Sequence, residues 1–263
     1  MMISSLWIAK TGLDAQLTNL NIIANNLANV NTNGFKKSRA IFKDLIYQND
    51  YAIQKNNQQI NNKQQPHIQL GTGVKTIATE RINTPGNLSH TGSWNDLAIH
   101  GPGFFQIQLE NGDIAFTKDG AFQLNNMREI VTNNGLPLFP SIIIPKNSGK
   151  INIAKDGVVS ISSNDHSPDT EIGKIQLAKF NNSNGLESIG NNLYRSTKNS
   201  GTPILNALDI YDNNESIMQG YLEKSNVNIT EELVNMIQAQ RAYEINSKVL
   251  TVIEQMFQKL SQL

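Results

Sequence analysis

The stretch Ser5-Leu6-Trp7-Ile8-Ala9-Lys10-Thr11-Gly12-Leu13-Asp14-Ala15-Gln16-Leu17-Thr18-Asn19-Leu20-Asn21-Ile22-Ile23-Ala24-Asn25-Asn26-Leu27-Ala28-Asn29-Val30 decides the fold class. Leu6, Leu13, Leu20 and Leu27 recur every seven residues, and Ala9, Gln16, Ile23 and Val30 follow each of them by three. Those positions fall on one narrow stripe of a helix, the spacing of a coiled-coil seam. The opposite side carries Lys10, Asp14, Asn19, Asn21 and Asn25. Asn33-Gly34 is the expected stop, because Gly accepts the left-handed conformation that ends helices.

The other end of the chain repeats the device. Met236, Tyr243, Leu250 and Phe257 are seven apart, with Ala239, Asn246, Ile253 and Leu260 completing the stripe and Leu233 one turn before it. Asn228 is placed to cap the first turn, and Glu231 stands three residues on, as in a capping box. Glu231 and Glu232 suit the positive end of the helix dipole. Each seam leucine left in water forfeits ~1.5–3 kcal/mol, so both stripes need a cover. One reading has the two helices close on the chain's own core. The other has them pair with each other and pack against further copies, gaining order on assembly.

Between the ends the period changes from 3.5 to 2. Phe105-Gln106-Ile107-Gln108-Leu109 alternates, Asn111-Gly112-Asp113 turns, and Ile114-Ala115-Phe116-Thr117 returns; this is a hairpin pattern. Lys118-Asp119-Gly120 and Lys155-Asp156-Gly157 are two further tight-turn signals, the second joining Ile151–Ala154 to Val158–Ile161. Gly173–Phe180 reads as one more strand. Residues 46–70 are dominated by Gln and Asn, and read in isolation as a polar linker without a core of their own. The expected class is α+β: terminal α-helices pairing as a coiled coil, with an all-β domain inserted between them. Residues 1–35 and 226–263 form the helical domain, 36–70 a polar connector, and 71–225 the β-rich domain.

Composition narrows the function. The chain has 263 residues, 38% hydrophobic and 17% charged, with 22 Lys+Arg against 22 Asp+Glu and no cysteine. A net charge of zero supplies no field for nucleic acid and favours self-association. The absence of Cys removes disulfides, thiolate nucleophiles and Cys-bound metals. No run is apolar enough to span a bilayer, and Met1–Trp7 lacks the layout of a cleaved secretory signal. His67, His90, His100 and His166 stand isolated, without a second ligand at metal-binding spacing. Gly71-Thr72-Gly73 and Gly101-Pro102-Gly103 are fragments of a phosphate-binding fingerprint, neither leading into a helix. No catalytic residue, metal or cofactor is expected.

The segment Asn25-Asn26-Leu27-Ala28-Asn29-Val30-Asn31-Thr32-Asn33-Gly34-Phe35-Lys36 resembles the signature of the flagellar axial proteins, the rod and hook subunits of the bacterial flagellum. Asn25, Asn26, Leu27, Ala28, Asn29, Asn33, Gly34 and Phe35 carry the match. A second match runs from Ser225-Asn226-Val227-Asn228 through Glu231–Ile237 to Gln240-Arg241-Ala242-Tyr243-Glu244-Ile245-Asn246. Internal segments, among them Ile99-His100-Gly101-Pro102-Gly103-Phe104-Phe105 and Leu186–Tyr194, are similar to the rod branch. The resemblance implies a structural subunit exported unfolded by the flagellar type III apparatus, without a cleaved signal peptide. It implies a helical homopolymer whose terminal helices form an inner coiled-coil core around a channel. Leu6, Leu13, Leu20, Ile23, Leu27, Val30, Leu233, Met236, Tyr243, Leu250, Ile253, Phe257 and Leu260 would then be the subunit interface. The implied partners are other rod subunits, the hook or hook-junction protein and the surrounding rings, in a rod crossing the periplasm. The alternatives are a proximal rod subunit of the same family and an unrelated coiled-coil dimer acting as a binding module.

Overall fold

The protein is described by a computed structural model covering residues 2–50, 68–146, 149–162, 170–205 and 216–261. Residues 51–67 of the polar connector lie outside the described residues. The architecture is α+β, with a helix at each end and a β-rich middle. The chain forms two compact units: Met1–Asn25, Ser38–Glu80 and Thr230–Leu263 make one, and Asn26–Lys37 with Arg81–Ile229 make the other.

The first unit is built on the helices α1, Met2–Ala28, and α2, Ile229–Ser261, of 27 and 33 residues. At the rise of an α-helix they are roughly 40 and 50 Å long. α1 stops at Ala28, five residues before the expected Asn33-Gly34. Beyond it the bonds tighten: the Val30 N–H donates to Leu27 O at 3.3 Å and the Thr32 N–H to Asn29 O at 3.2 Å. The Thr32 hydroxyl also reaches Asn29 Oδ1 at 3.1 Å. Short polar side chains here compete with the helical bonds, so Val30 sits in a turn and not on the helix. Gly34, at φ +68°, still makes the chain reversal. α2 starts immediately after Asn228, as its capping pattern predicts, with Glu231 and Glu232 in its first turn and Lys259 in its last.

Within this unit the helices approach at Gly12. A Cβ there would lie 3.0 Å from Asn246 Nδ2 of α2, so the missing side chain makes room for the seam asparagine. On the neighbouring turn, Thr11 Oγ1 accepts a 3.4 Å bond from the Val74 N–H and packs on Gly73, where φ is +119° and a Cβ would collide with the hydroxyl. Two antiparallel ribbons complete the unit. Ser38–Asp44 lies beside Val74–Arg81, and Tyr47–Asp50 pairs with Ile68–Gly71, Tyr47 opposite Gly71. The second ribbon is formed by the stretches on either side of residues 51–67.

The second unit is centred on a six-stranded sheet in the order Glu187–Gly190, Leu193–Arg195, Ile114–Thr117, Phe104–Gln108, Leu177–Lys179, Ile204–Leu205. The predicted hairpin is its centre, Phe105 opposite Thr117 and Gln108 opposite Ile114. A three-stranded sheet, Lys150–Ile153, Val158–Ser162 and Thr170–Lys174, packs its inward residues Ile151, Ile153, Val159 and Ile161 into the same core as Phe105, Ile107, Leu138 and Leu177. A smaller aromatic cluster gathers Phe104, Phe116, Phe180 and Tyr194, mostly edge-to-face, as in Phe116 and Phe180 at 4.8 Å. The Arg81 guanidinium lies 4.4 Å from the Tyr194 ring centroid.

Two strand readings change. Gly173–Phe180 is two strands in two different sheets, Thr170–Lys174 and Leu177–Lys179. The interruption falls at Ile175, fully buried where the chain passes from one sheet to the other. Lys155-Asp156-Gly157 is a hairpin turn, with Gly157 at φ +83°. Lys118-Asp119-Gly120 is not: Gly120 lies directly against the Leu97 carbonyl, where no Cβ fits. The strand that follows, Phe122–Leu124, pairs forward with Ile130–Thr132. The same tripeptide therefore serves once as a tight turn and once as a close backbone crossing.

Candidate functional site: helix faces and the motif junction

The expected interface residues fall into three environments. On α1, Ile23 is buried and Leu6, Leu13, Leu20 and Leu27 are half-buried, while Val30 is half-buried in the turn. On α2, Met236, Tyr243, Leu250 and Ile253 are half-buried around the buried Ala239. Leu233, Phe257 and Leu260 are exposed at 43%, 36% and 56%. α2 also carries apolar residues outside the heptad. Val234, Ile245, Val249, Val252 and Met256 are all exposed, and at 3.6 residues per turn they form a second stripe about 120° round from the first.

The family-type motif does something the heptad does not foretell. Asn26 and Gly34 are buried, Asn29, Asn33 and Phe35 half-buried, and Asn25 and Ala28 exposed. Past the end of α1 the motif docks on the β-rich unit. The Gly34 N–H donates to Glu223 O at 2.8 Å, and Asn192 Nδ2 donates to Asn33 O at 3.0 Å. Gly34 is required here, since a Cβ would stand 2.7 Å from the Lys118 carbonyl carbon. One residue on, Lys36 is buried and its ammonium meets Glu223 Oε1 at 2.5 Å and Thr84 O at 2.8 Å. Glu223, itself 2% exposed, also accepts from the Gly86 N–H at 2.8 Å. Lys118 stands 3.9 Å from Glu223 Oε2 and donates to Gly101 O at 2.8 Å. Oε2 has no hydrogen-bond partner among the described residues. One carboxylate between two ammonium groups is thus sealed from water at the point where the N-terminal motif, the sheet and the C-terminal segment meet.

Asn226 closes the same junction from the other side. Its Oδ1 accepts from the Lys37 N–H at 2.7 Å, and its Nδ2 donates to Ile82 O at 2.8 Å and Thr84 Oγ1 at 3.0 Å. The sequence reading has Lys36 and Asn226 as motif letters and Lys118 only as part of a tight-turn signal, and it does not mark Glu223. No periodicity marks a charge that is buried by residues remote in the chain.

Beside the junction lies a polar cavity of about 410 Å³ lined by Asn29, Thr32, Asp119, Asn134 and Asn192, among others. Asp119 accepts from the Ala121 N–H at 3.1 Å. Burial pushes its carboxyl above its ordinary 3.8, the Ala121 bond opposes that, and the charge of Asp96 adds to it. A carboxyl that holds its proton more tightly when folded weakens the fold on ionising. Its penalty is absent below 3.8 and grows as pH rises through the raised value. Asp119→Asn keeps the oxygen that accepts from Ala121. The variant should match the native chain at about pH 3 and gain on it toward about pH 7, read from urea midpoints at each pH. An equal difference at both pH values would remove the titration argument.

Three family models match the chain. Residues 6–36 match "Flagella basal body rod protein", 98–161 "Flagellar hook protein FlgE/F/G D1 domain", and 218–263 "Flagellar basal body rod FlgEFG protein C-terminal". The flagellar basal-body rod protein FlgG of Buchnera aphidicola subsp. Acyrthosiphon pisum is 54% identical over 267 residues, covering 100% of both chains. FlgG of Borreliella burgdorferi is 42% identical, covering 97% of this chain and 96% of its own. The rod protein FlgF of Caulobacter vibrioides is 34% identical, covering 91% and 90%. The first matched segment ends at Lys36, the second contains Lys118 and the last contains Glu223, so all three family segments meet at the buried junction. By these matches along its whole length, the chain belongs to the FlgG family of flagellar basal-body rod proteins.

Proposed function

We propose that this chain is a structural subunit of the distal rod of the flagellar basal body, polymerising helically into a rigid hollow shaft that transmits torque and surrounds the export channel. Membership of the rod family implies assembly with other rod components. The observation that carries the polymer reading is the exposed second stripe of α2, Val234–Met256. A helix apolar on two faces buries both only with more than one neighbour. One face suits α1 of the same chain, in coiled-coil register past Gly12 and Asn246, and the other suits a further copy. Leu6–Leu27 and Met236–Leu260 lie on the first face. Contacts of this head-to-tail kind do not close, so they generate a filament.

The remaining partners follow from that position: hook or hook-junction protein at one end, ring proteins around the shaft, and the type III export apparatus at its base in the periplasm-crossing rod. The higher identity to FlgG than to FlgF relatives supports the distal reading over the proximal one.

Sedimentation of the purified chain over a range of concentrations, with electron microscopy of the pellet, tests the proposal. A size that keeps growing with concentration and rods in the pellet are expected. A size that stops at two would replace the polymer with a closed dimer.

A further inference from the structure

The chain contains four Asn-Gly pairs, Asn33-Gly34, Asn111-Gly112, Asn134-Gly135 and Asn184-Gly185. This dipeptide is the one most prone to spontaneous deamidation, because glycine leaves its nitrogen unshielded. The Gly nitrogen loses its proton and attacks the Asn Cγ. A C–N bond forms, the Cγ–Nδ2 bond breaks, and ammonia leaves a five-membered succinimide. Water then opens either carbonyl, giving Asp or isoaspartate. The ring needs the local backbone to rotate, so its rate in a folded protein follows the free energy of local opening.

The four pairs divide sharply. Asn111-Gly112 and Asn134-Gly135 are exposed turn tips with φ +83° and +81° at glycine, and nothing stands within 4 Å of a Cβ built on either glycine. Neither asparagine side chain hydrogen-bonds among the described residues. Each glycine N–H is held only by a bond within its own turn, Gly112 to Leu109 O and Gly135 to Thr132 O, both 2.9 Å. Gly34, in contrast, is buried and donates to Glu223 O across the junction, and Asn33 O is held by Asn192. Asn184 Oδ1 accepts from Asn83 Nδ2 at 2.7 Å, and a Cβ on Gly185 would lie 2.7 Å from the Asn199 carbonyl carbon.

We propose that Asn111 and Asn134 are the deamidation sites of the folded chain, and that Asn33 and Asn184 are withheld until their packing opens. Each conversion adds one negative charge to a chain whose formal net charge is zero, so an ageing sample separates into successively more acidic forms. At Asn134 the new carboxylate enters the cavity that already holds Asp119.

The test is incubation of the full chain at 37 °C in mildly alkaline buffer, with and without urea, followed by trypsin and mass spectrometry. Cleavage after Lys and Arg puts the four pairs on separate peptides, 11–36, 82–118, 129–146 and 180–195. Folded, the second and third should gain the amide-to-acid mass shift at least about tenfold faster than the first and fourth, a difference of ~1.4 kcal/mol in opening. In urea all four should react at similar rates. N111Q/N134Q should remove the early acidic forms in isoelectric focusing. Equal rates for all four in the folded chain, or turn tips that react only in urea, would overturn the assignment.

Discussion

Glu223→Ala destabilises the β-rich unit by about 3–5 kcal/mol, the expected loss when a buried ion pair loses one partner and strands the other. The substitution strips the anion from Lys36 and Lys118, both under 5% exposed, and takes the acceptor from the Gly86 N–H. The site is sealed from solvent, Glu223 being 2% exposed, and Gly86 packs closely on the Lys224 carbonyl, where no Cβ fits. Urea titration followed by Trp94, which packs on the main core, measures the effect. Trp7 is replaced by Phe to leave one reporter, since the chain has two tryptophans. Glu223→Gln keeps an oxygen toward Lys36 and Gly86 and should lose less. Lys36→Met completes a double-mutant cycle, whose coupling should exceed about 1 kcal/mol for a contact this close. The same operation on the exposed pairs Arg39–Glu80 and Arg195–Glu187 should cost under about 1 kcal/mol, because water screens them. A Glu223→Ala loss no larger than theirs would show that the junction's charges do not hold it together.

The contrast between junction and helices explains what could be read in advance. A heptad is a local pattern: Leu6 and Leu13 are neighbours on a helix whatever the rest of the chain does, so both terminal helices were legible, as was the Phe105–Thr117 hairpin. The junction is not local. Lys36 and Glu223 are 187 positions apart, and neither carries a mark that tells a sealed lysine from a solvated one. The turns failed for a related reason. Lys-Asp-Gly permits a hairpin at Gly157 and equally permits the tight crossing over Leu97 at Gly120, and only the partner strand decides. The end of α1 was misplaced because Asn29 and Thr32 bond each other in place of the helix backbone. In α2, spacing identified one apolar stripe, but the second became visible only through its exposure.

That second stripe carries the other large expectation: Val252→Asp abolishes polymerisation while leaving the subunit's own fold unchanged. Val252 is 46% exposed, so in the monomer the new carboxylate remains in water and costs little. In a filament it would be enclosed against another copy without a partner, a penalty of several kcal/mol for a buried unpaired charge, and the valine's own burial of ~1.5–3 kcal/mol is lost as well. Even ~3 kcal/mol raises the concentration needed for assembly by more than about a hundredfold. Leu250→Asp and Leu13→Asp, on the half-buried stripes, should also block assembly, but they strike helix packing within the subunit too. Val252→Asp separates the two roles. Gln255→Asp is the matching control: it adds the same charge one turn-face away, at an exposed position off both stripes, and should still assemble. Pelleting assays report polymer, and the Trp94 urea curve reports the β-rich unit. If Val252→Asp and Gln255→Asp pellet alike, the second stripe faces solvent in the filament. Assembly would then have to run through the heptad face alone, leaving α2 with an apolar surface that its own polymer does not cover.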